Sequence, residues 1–318
     1  MTLRVAFIGA GGRASSHLQN VGEMDDAEVV AVCDIDEDVA RDAAEPHGAA
    51  VYTEHEPMYE QEDIDAVFVG VPPFAHTDQE LMAAERGIHL FVEKPIALSV
   101  EKAEEILDAV EANGVVAQVG YQMRYAEATE RALELTEGRP IGLVDGYYKT
   151  SVPGTAWWRV FERSGGQIVE QVTHIYDLVR HVVGEVEEVT AYGGHRIVDE
   201  IDFEDSVTAS MRHENDAVSN IDSTSAASQH SSGIELVGGD VQLTLEGNSL
   251  TGVVDGEEVD FEGEGDMSRA EVESFVEAAR TGDDAGVRST YADAVRTLAL
   301  TLAVNESLAS GDPVEPRA

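Results

Sequence analysis

The chain has 318 residues, with 63 acidic and 20 basic side chains and a formal net charge of −43. At that charge nucleic acid and anionic membranes repel the protein, which excludes both as partners. A single cysteine, Cys33, excludes an internal disulfide and a thiolate metal cluster, and no apolar run is long enough to span a bilayer.

The first element is the apolar run over residues 3–8, read as a strand. It enters the turn Gly9-Ala10-Gly11-Gly12-Arg13-Ala14, then a helical stretch, then a strand over 29–33 closed by Asp34. This is the G-x-G-x-x-A dinucleotide fingerprint in its expected context of strand, turn, helix, strand and acid. Gly9 permits the tight turn, Gly11 lets the backbone approach a pyrophosphate, and Ala14 keeps the helix against the sheet. Gly12 and Arg13 belong to the same turn, at a helix N-terminus whose free N–H groups attract phosphate. Asp34 is placed to accept both hydroxyls of an adenosine ribose.

A helix over 37–47, a short strand over 50–52 and a helix-like run around Met58 come next. The continuous apolar stretch over 65–70 reads as a strand buried on both faces, ended by Val71-Pro72-Pro73. Pro72 and His76 are candidates to border the nicotinamide; a loop and a helix start are the plainer reading. A helix over 77–86, a strand over 89–93, a helix over 99–112 and a strand over 115–119 complete a doubly wound parallel sheet. Its ligand crevice is expected at the carboxyl ends of the strands.

Beyond Tyr121 the rhythm changes. A helix over 126–136, a strand near 144–148, an aromatic loop Trp157-Trp158-Arg159 and a helix from Gly165-Gly166 to about 183 precede a run of strands. These cover 187–195, 205–213, 217–223, 233–237, 240–246 and 250–254, with hairpin signals at Gly238-Gly239 and Asp255-Gly256. Helices over 268–280 and 290–310 finish the chain. The expected fold is α/β: a dinucleotide-binding domain over 1–121 and an α+β domain over 122–318 with a large, mainly antiparallel sheet. The C-terminal helix is a candidate to pack back on the first domain, and the sheet's uncovered face suits a homodimer or homotetramer.

The acids are spread along the whole chain, and only Lys94, Lys102 and Lys149 are lysines. An acidic binding face is the plain reading; a halophile's surface, soluble in concentrated salt that screens its self-repulsion, accounts for more of the pattern. The N-terminus reads as a strand with its functional turn rather than a signal peptide, so a cytoplasmic enzyme is expected.

Three segments carry candidate chemistry. Glu93-Lys94-Pro95 ends a strand at the crevice. Gln122 and Arg124 open the second domain; they are candidates for cofactor or substrate contact, with a structural inter-domain ion pair equally open for Arg124. Glu170 and His174 are four apart and share a helical face, with Asp177 on the same side. Asp177 is a candidate for substrate hydroxyls, and Trp158 and Arg159 for covering a sugar face, against a hydrophobic loop anchor. His230, in the polar loop 225–232, is a candidate to reach the site, against plain surface exposure. His76, Glu170 and His174 lack a coherent metal spacing, so no metal is expected.

The order of these segments resembles the glucose–fructose oxidoreductase/inositol dehydrogenase (Gfo/Idh/MocA) family. It rests on the N-terminal fingerprint, Glu93-Lys94-Pro95, the Gly165-Gly166 helix opening, the Glu170-x-x-x-His174-x-x-Asp177 pattern and the two final helices. The resemblance implies an NAD(P)-dependent oxidoreductase acting on a secondary hydroxyl or carbonyl of a sugar or cyclitol, with Lys94, Glu170 and His174 in the catalytic positions. It also implies contact of Glu93 with the nicotinamide ribose. The family more often carries aspartate where this chain has Glu170. Histidine suits the general base, Glu170 would orient it, and Lys94 would stabilise alkoxide charge. NAD is favoured over NADP, because Asp34 repels a 2′-phosphate and Ile35-Asp36-Glu37 offers no cation, which leaves Arg13 in the turn as the one candidate to receive it. The alternatives are a glycoside hydrolase that uses bound NAD transiently and a non-catalytic sensor.

Overall fold

The structure is a computed structural model and describes residues 2–317. It resolves into two compact units. One takes residues up to Ala97, Glu101–Gly120 and Ser268–Asp293; the other takes Leu98–Val100, Tyr121–Met267 and the residues from Ala294 onward.

The first unit alternates β1 (Leu3–Ile8), α1 (Gly12–Gly22), β2 (Ala27–Cys33), α2 (Glu37–Ala44), β3 (Ala50–Tyr52), α3 (His55–Gln61), β4 (Ala66–Val69), α4 (Gln79–Glu85), β5 (His89–Val92), α5 (Val100–Asn113) and β6 (Ala117–Val119). The six strands form one parallel sheet in the order β3-β2-β1-β4-β5-β6. Reversal of order between β1 and β4 opens the crevice that dinucleotide folds use. All four residues of β4 are buried, as a strand covered on both faces requires. Asp36 caps α2 by accepting the N–H groups of Asp38 and Val39.

The core of this unit is aromatic. Phe7 and Phe68 stack with centroids 4.8 Å apart, and Phe68 and Phe91 at 4.6 Å. Phe275 meets Phe68 and Phe91 edge-on at 5.2 and 5.6 Å. Phe275 lies on α9 (Met267–Thr281), more than 180 residues beyond β5. Truncating so buried a phenylalanine costs about 3–5 kcal/mol.

The second unit contains α6 (Glu127–Thr136), β7 (Ile141–Ser151), α7 (Phe161–Ser164), a π-helical turn (Ile168–Val172) that continues into α8 (Thr173–Val183), and β8 (Val186–Gly194) to β14 (Glu257–Glu262). Between those last two run β9 (Ser206–His213), β10 (Val218–Thr224), β11 (Ala226–Gly238), β12 (Val241–Glu246) and β13 (Ser249–Val254). Most of α10 (Tyr291–Ser310) also belongs here. The eight strands form one sheet in the order β14-β13-β12-β11-β7-β10-β9-β8. Among the described residues of this sheet, only β7 and β10 pair in parallel. Val172, Ile175 and Val179 join Val304 and the inward residues Val144, Ala209, Ile221, Ile234 and Leu243 in one core.

Asp255 and Gly256, both at positive φ, form the turn between β13 and β14. The sequence pattern had no strand after this turn, because Glu257–Glu262 carries four acids. The expected polar loop over 225–232 is instead the first half of β11. Ser228 to Ser231 are exposed on both faces there, so polar residues do not argue against a strand.

Candidate active site

The phosphate turn is built from backbone. Gly9 has φ +85°, and a Cβ on it would lie 2.5 Å from the Gly70 carbonyl oxygen, so glycine is required twice over. Gly70 in turn lets α1 approach β4, since its own Cβ would come within 2.8 Å of that of Ala14. A Cβ built on Gly11 or Gly12 meets nothing within 4 Å. The outer surface of the turn is therefore open backbone. α1 starts without a side-chain cap or an acid in its first turn, which leaves its N–H groups for an anion. The Asp34 carboxylate accepts the Ala10 N–H at 2.9 Å and the Asp36 N–H at 3.0 Å. Fixed this way it keeps lone pairs for hydroxyl donors. Beside it Ile35 is 96% exposed, an apolar surface that the sequence reading passed over. These residues fit a dinucleotide: a cradle without side chains, a helix N-terminus and a held carboxylate.

At the end of β5, Glu93 is buried and Lys94 is half-buried. Glu93 binds His17 at 2.6 Å. Burial pushes the Glu93 carboxyl up, but the His17 hydrogen bond and the nearby charges of His17, Lys94 and Arg13 bring it down to about 2. His17 was not among the sequence candidates. A signal was available: it falls on the buried stripe of α1 with Ala14, Leu18 and Val21, where a histidine calls for a buried partner. Pro72 precedes a short 3-10 turn, and the buried ring of His76 is hydrogen-bonded to the buried carboxylate of Glu80. Cys33 is buried, and burial raises its thiol to about 11, so it is no nucleophile.

In the second unit, Gly165 and Gly166 both have positive φ and terminate α7. The helix then begins with its π turn, so Glu170 does not sit on a regular α-helical face as its spacing suggested. Its carboxylate accepts the indole N–H of Trp158 at 2.6 Å. His174 is half-buried, with its ring edge-on to that of Tyr121 at 6.0 Å. The Tyr121 hydroxyl is hydrogen-bonded to Thr173, and burial holds it well above the usual phenol range.

Several expected substrate contacts are engaged elsewhere. Asp177 and Arg124 form a buried two-pronged ion pair at 2.6 and 2.7 Å, and Thr297 donates to Asp177 at 2.9 Å. The two side chains thus engage each other within the second unit, so this is not an inter-domain pair. Trp158 is 1% exposed and lies edge-on to Phe203, which corrects its expected role as a sugar-stacking cover. Arg159 pairs with Glu200 at 3.4 Å. His230 is exposed on β11 beside Tyr148. Gln122 opens a short 3-10 helix over Gln122–Tyr125. Among the described residues no group of histidine, cysteine or acid side chains could hold a metal ion. No helix among them is long and apolar enough to cross a membrane.

The chain belongs to the Gfo/Idh/MocA oxidoreductase family. A family model described as oxidoreductase family, NAD-binding Rossmann fold, matches residues 3–121. A second, for the GFO/IDH/MocA C-terminal domain, matches residues 138–244. The chain is similar to the scyllo-inositol 2-dehydrogenase (NAD(+)) of Bacillus subtilis, 34% identical over 61% of this chain and 57% of that one. It is also similar to the 2,7-anhydro-N-acetylneuraminate hydratase of Mediterraneibacter gnavus, 30% identical over 61% of this chain and 53% of that one. Both matches thus span little more than half of the relative's length. Among solved structures, GenD2 from gentamicin A biosynthesis in complex with NAD superposes with a TM-score of 0.87 and 25% identity, covering 100% of this chain and 97% of that one.

Proposed function

We propose that the protein is an NAD-dependent dehydrogenase that oxidises a secondary hydroxyl of a cyclitol, sugar or sugar derivative. The observation that carries this reading is the position of Lys94 directly after the held carboxylate of Glu93, in a chain with Glu170 and His174 on the π-turn helix. A bound nicotinamide supplies the hydride acceptor. His174 takes the hydroxyl proton as general base, and Glu170, anchored by Trp158, orients it. Lys94 donates a hydrogen bond to the substrate oxygen and stabilises its developing negative charge. On the cofactor side, Gly9, Gly11, Gly12 and Arg13 take the pyrophosphate, Asp34 the adenosine ribose hydroxyls, and Pro72, His76, Glu93 and Gln122 the nicotinamide end. Asp34, with no cation from Ile35 to Val39, favours NAD over NADP. The exposed Ile35 offers adenine an apolar face.

A second reading has one observation in its favour. The similarity to a hydratase admits a redox-neutral reaction in which bound NAD is used and regenerated. NADH appearance in molar KCl, with NAD and a panel of inositols, aldoses and sugar acids, separates the two. Turnover that is lost on Lys94→Ala supports the dehydrogenase. Conversion of a panel member without NADH accumulation supports the second reading and overturns the first.

The protein works in the cytoplasm, in concentrated salt, as a dimer or tetramer. Its 63 acids and three lysines support the salt adaptation. The outer face of the large sheet supports self-association. Strand register lines up Val253, Gln242, Val237, Leu143 and Val218 in one row across five strands, and Leu143, Val218 and Val253 are exposed. Sedimentation in molar KCl of the Leu143→Asp variant tests this: a monomer is expected, and an unchanged oligomer overturns it.

A further inference from the structure

His17 is 1% exposed. Its ring meets Phe91 edge-on at 4.9 Å and tilts over Phe68 at 5.8 Å. Its Nε2 is 2.6 Å from Glu93 Oε1. An ionised carboxylate only accepts, so Nε2 carries the proton and donates. The other carboxylate oxygen accepts the backbone N–H of Lys94 at 3.2 Å. Arg13, in the phosphate turn, places Nε 3.5 Å from Oε1. Gly120 closes the remaining side: a Cβ there would press on the carboxylate at 2.9–3.0 Å. The groups facing Glu93 are therefore His17 and Arg13 from α1 and Lys94 from its own strand end, with Gly120 contributing backbone alone.

We propose that His17 is a positioning residue for Lys94, acting through Glu93. The carboxylate is the joint between the two elements. One oxygen is held by the helix that starts at the phosphate turn, and the other holds the backbone of the lysine. A buried carboxylate that lost this partner would lose its fix on α1, take up a proton more readily, and hold the Lys94 N–H less firmly. The proposal rests on the reading of Lys94 as the residue that serves the substrate oxygen.

The test uses the full chain in molar KCl, without cofactor for labelling and with NAD for turnover. Lys94, Lys102 and Lys149 are its only lysines, so amine acylation followed by mass spectrometry reads Lys94 against two internal references. In His17→Phe, which keeps an aromatic ring and removes the donor, relative labelling of Lys94 is expected to change by about 10-fold at pH 7. In His17→Gln, whose amide can still donate to Glu93, it stays within about twofold of wild type. The acid limb of kcat/KM is expected to move up by about one pH unit in His17→Phe and to hold its place in His17→Gln. Wild-type labelling and an unmoved acid limb in folded His17→Phe would overturn the proposal, and so would equal changes in the two variants. Should the Phe variant not fold, His17→Asn, too short to reach Glu93, must behave as the Phe variant is expected to. Retained turnover in Lys94→Ala would remove the catalytic reading of Lys94 and leave the labelling result to judge the linkage alone.

Discussion

Trp158 donates its indole N–H to Glu170 at 2.6 Å, a bond between a buried aromatic anchor and a carboxylate on the π turn. The length of the glutamate side chain is what brings the carboxylate to the indole. A hydrogen bond to a charged group of this kind contributes about 1.5–3 kcal/mol. Trp158→Phe keeps the ring and removes the donor. It is expected to lower kcat about 10-fold with little change in substrate KM. Glu170→Asp, one methylene shorter, should lower kcat in the same direction. Steady-state kinetics on both variants check this, and a faster Glu170→Asp enzyme would refute it.

Asp177 neutralises Arg124 where neither side chain reaches solvent. Asp177→Asn leaves a buried guanidinium without its counter-charge, a loss of about 3–5 kcal/mol. Urea unfolding at constant KCl measures it. A substrate contact at Asp177 would show the opposite pattern, with KM raised and the unfolding midpoint unchanged.

Acid should unfold the protein between the ordinary carboxylate range and about pH 2. Asp205 accepts three successive backbone N–H groups, from Arg196, Ile197 and Val198. Burial pushes its carboxyl up, but those bonds, with that of Ser206, bring it from 3.8 to about 2. Glu93 is lowered likewise from 4.5 to about 2. A carboxyl lowered in the folded state contributes stability that is complete above its unfolded value and is lost as pH falls through the folded one. Circular dichroism from pH 5 to pH 2 in constant salt follows this loss. Asp205→Asn should lose about 1–3 kcal/mol at pH 7 and show a flatter acid limb.

Low salt should also unfold the chain. A formal charge of −43 repels itself over tens of ångströms once counter-ions are diluted. A KCl series read by circular dichroism is expected to show loss of structure well below molar concentrations. A fold that survives at 0.05 M would contradict the halophilic reading.

What could be read from the sequence was local. Gly9, Gly11 and Asp34 fall within one strand-turn-helix-strand unit, and their spacing alone places them at the end of β1 and β2. The partnerships that set the chemistry join distant residues. His17 meets Glu93 across 76 positions, and Arg124 meets Asp177 across 53. Trp158 and Glu170 are only 12 apart, yet the bend that joins them depends on two glycines with positive φ and a π turn, which periodicity does not encode. β14 and the first half of β11 were missed because solvated strands in so acidic a chain carry the polar composition of loops.

The aromatic stack of the first unit has an implication for how the protein is made. Phe275 completes a core begun by Phe7, Phe68 and Phe91. A ribosome that has translated the whole fingerprint, and even the whole parallel sheet, still holds a unit with an open hydrophobic flank. More than 150 further residues must emerge before α9 can close it. The nucleotide-binding unit therefore cannot mature as an N-terminal module ahead of the rest. A shortened gene product that ends at the close of the sheet is expected to aggregate rather than bind cofactor.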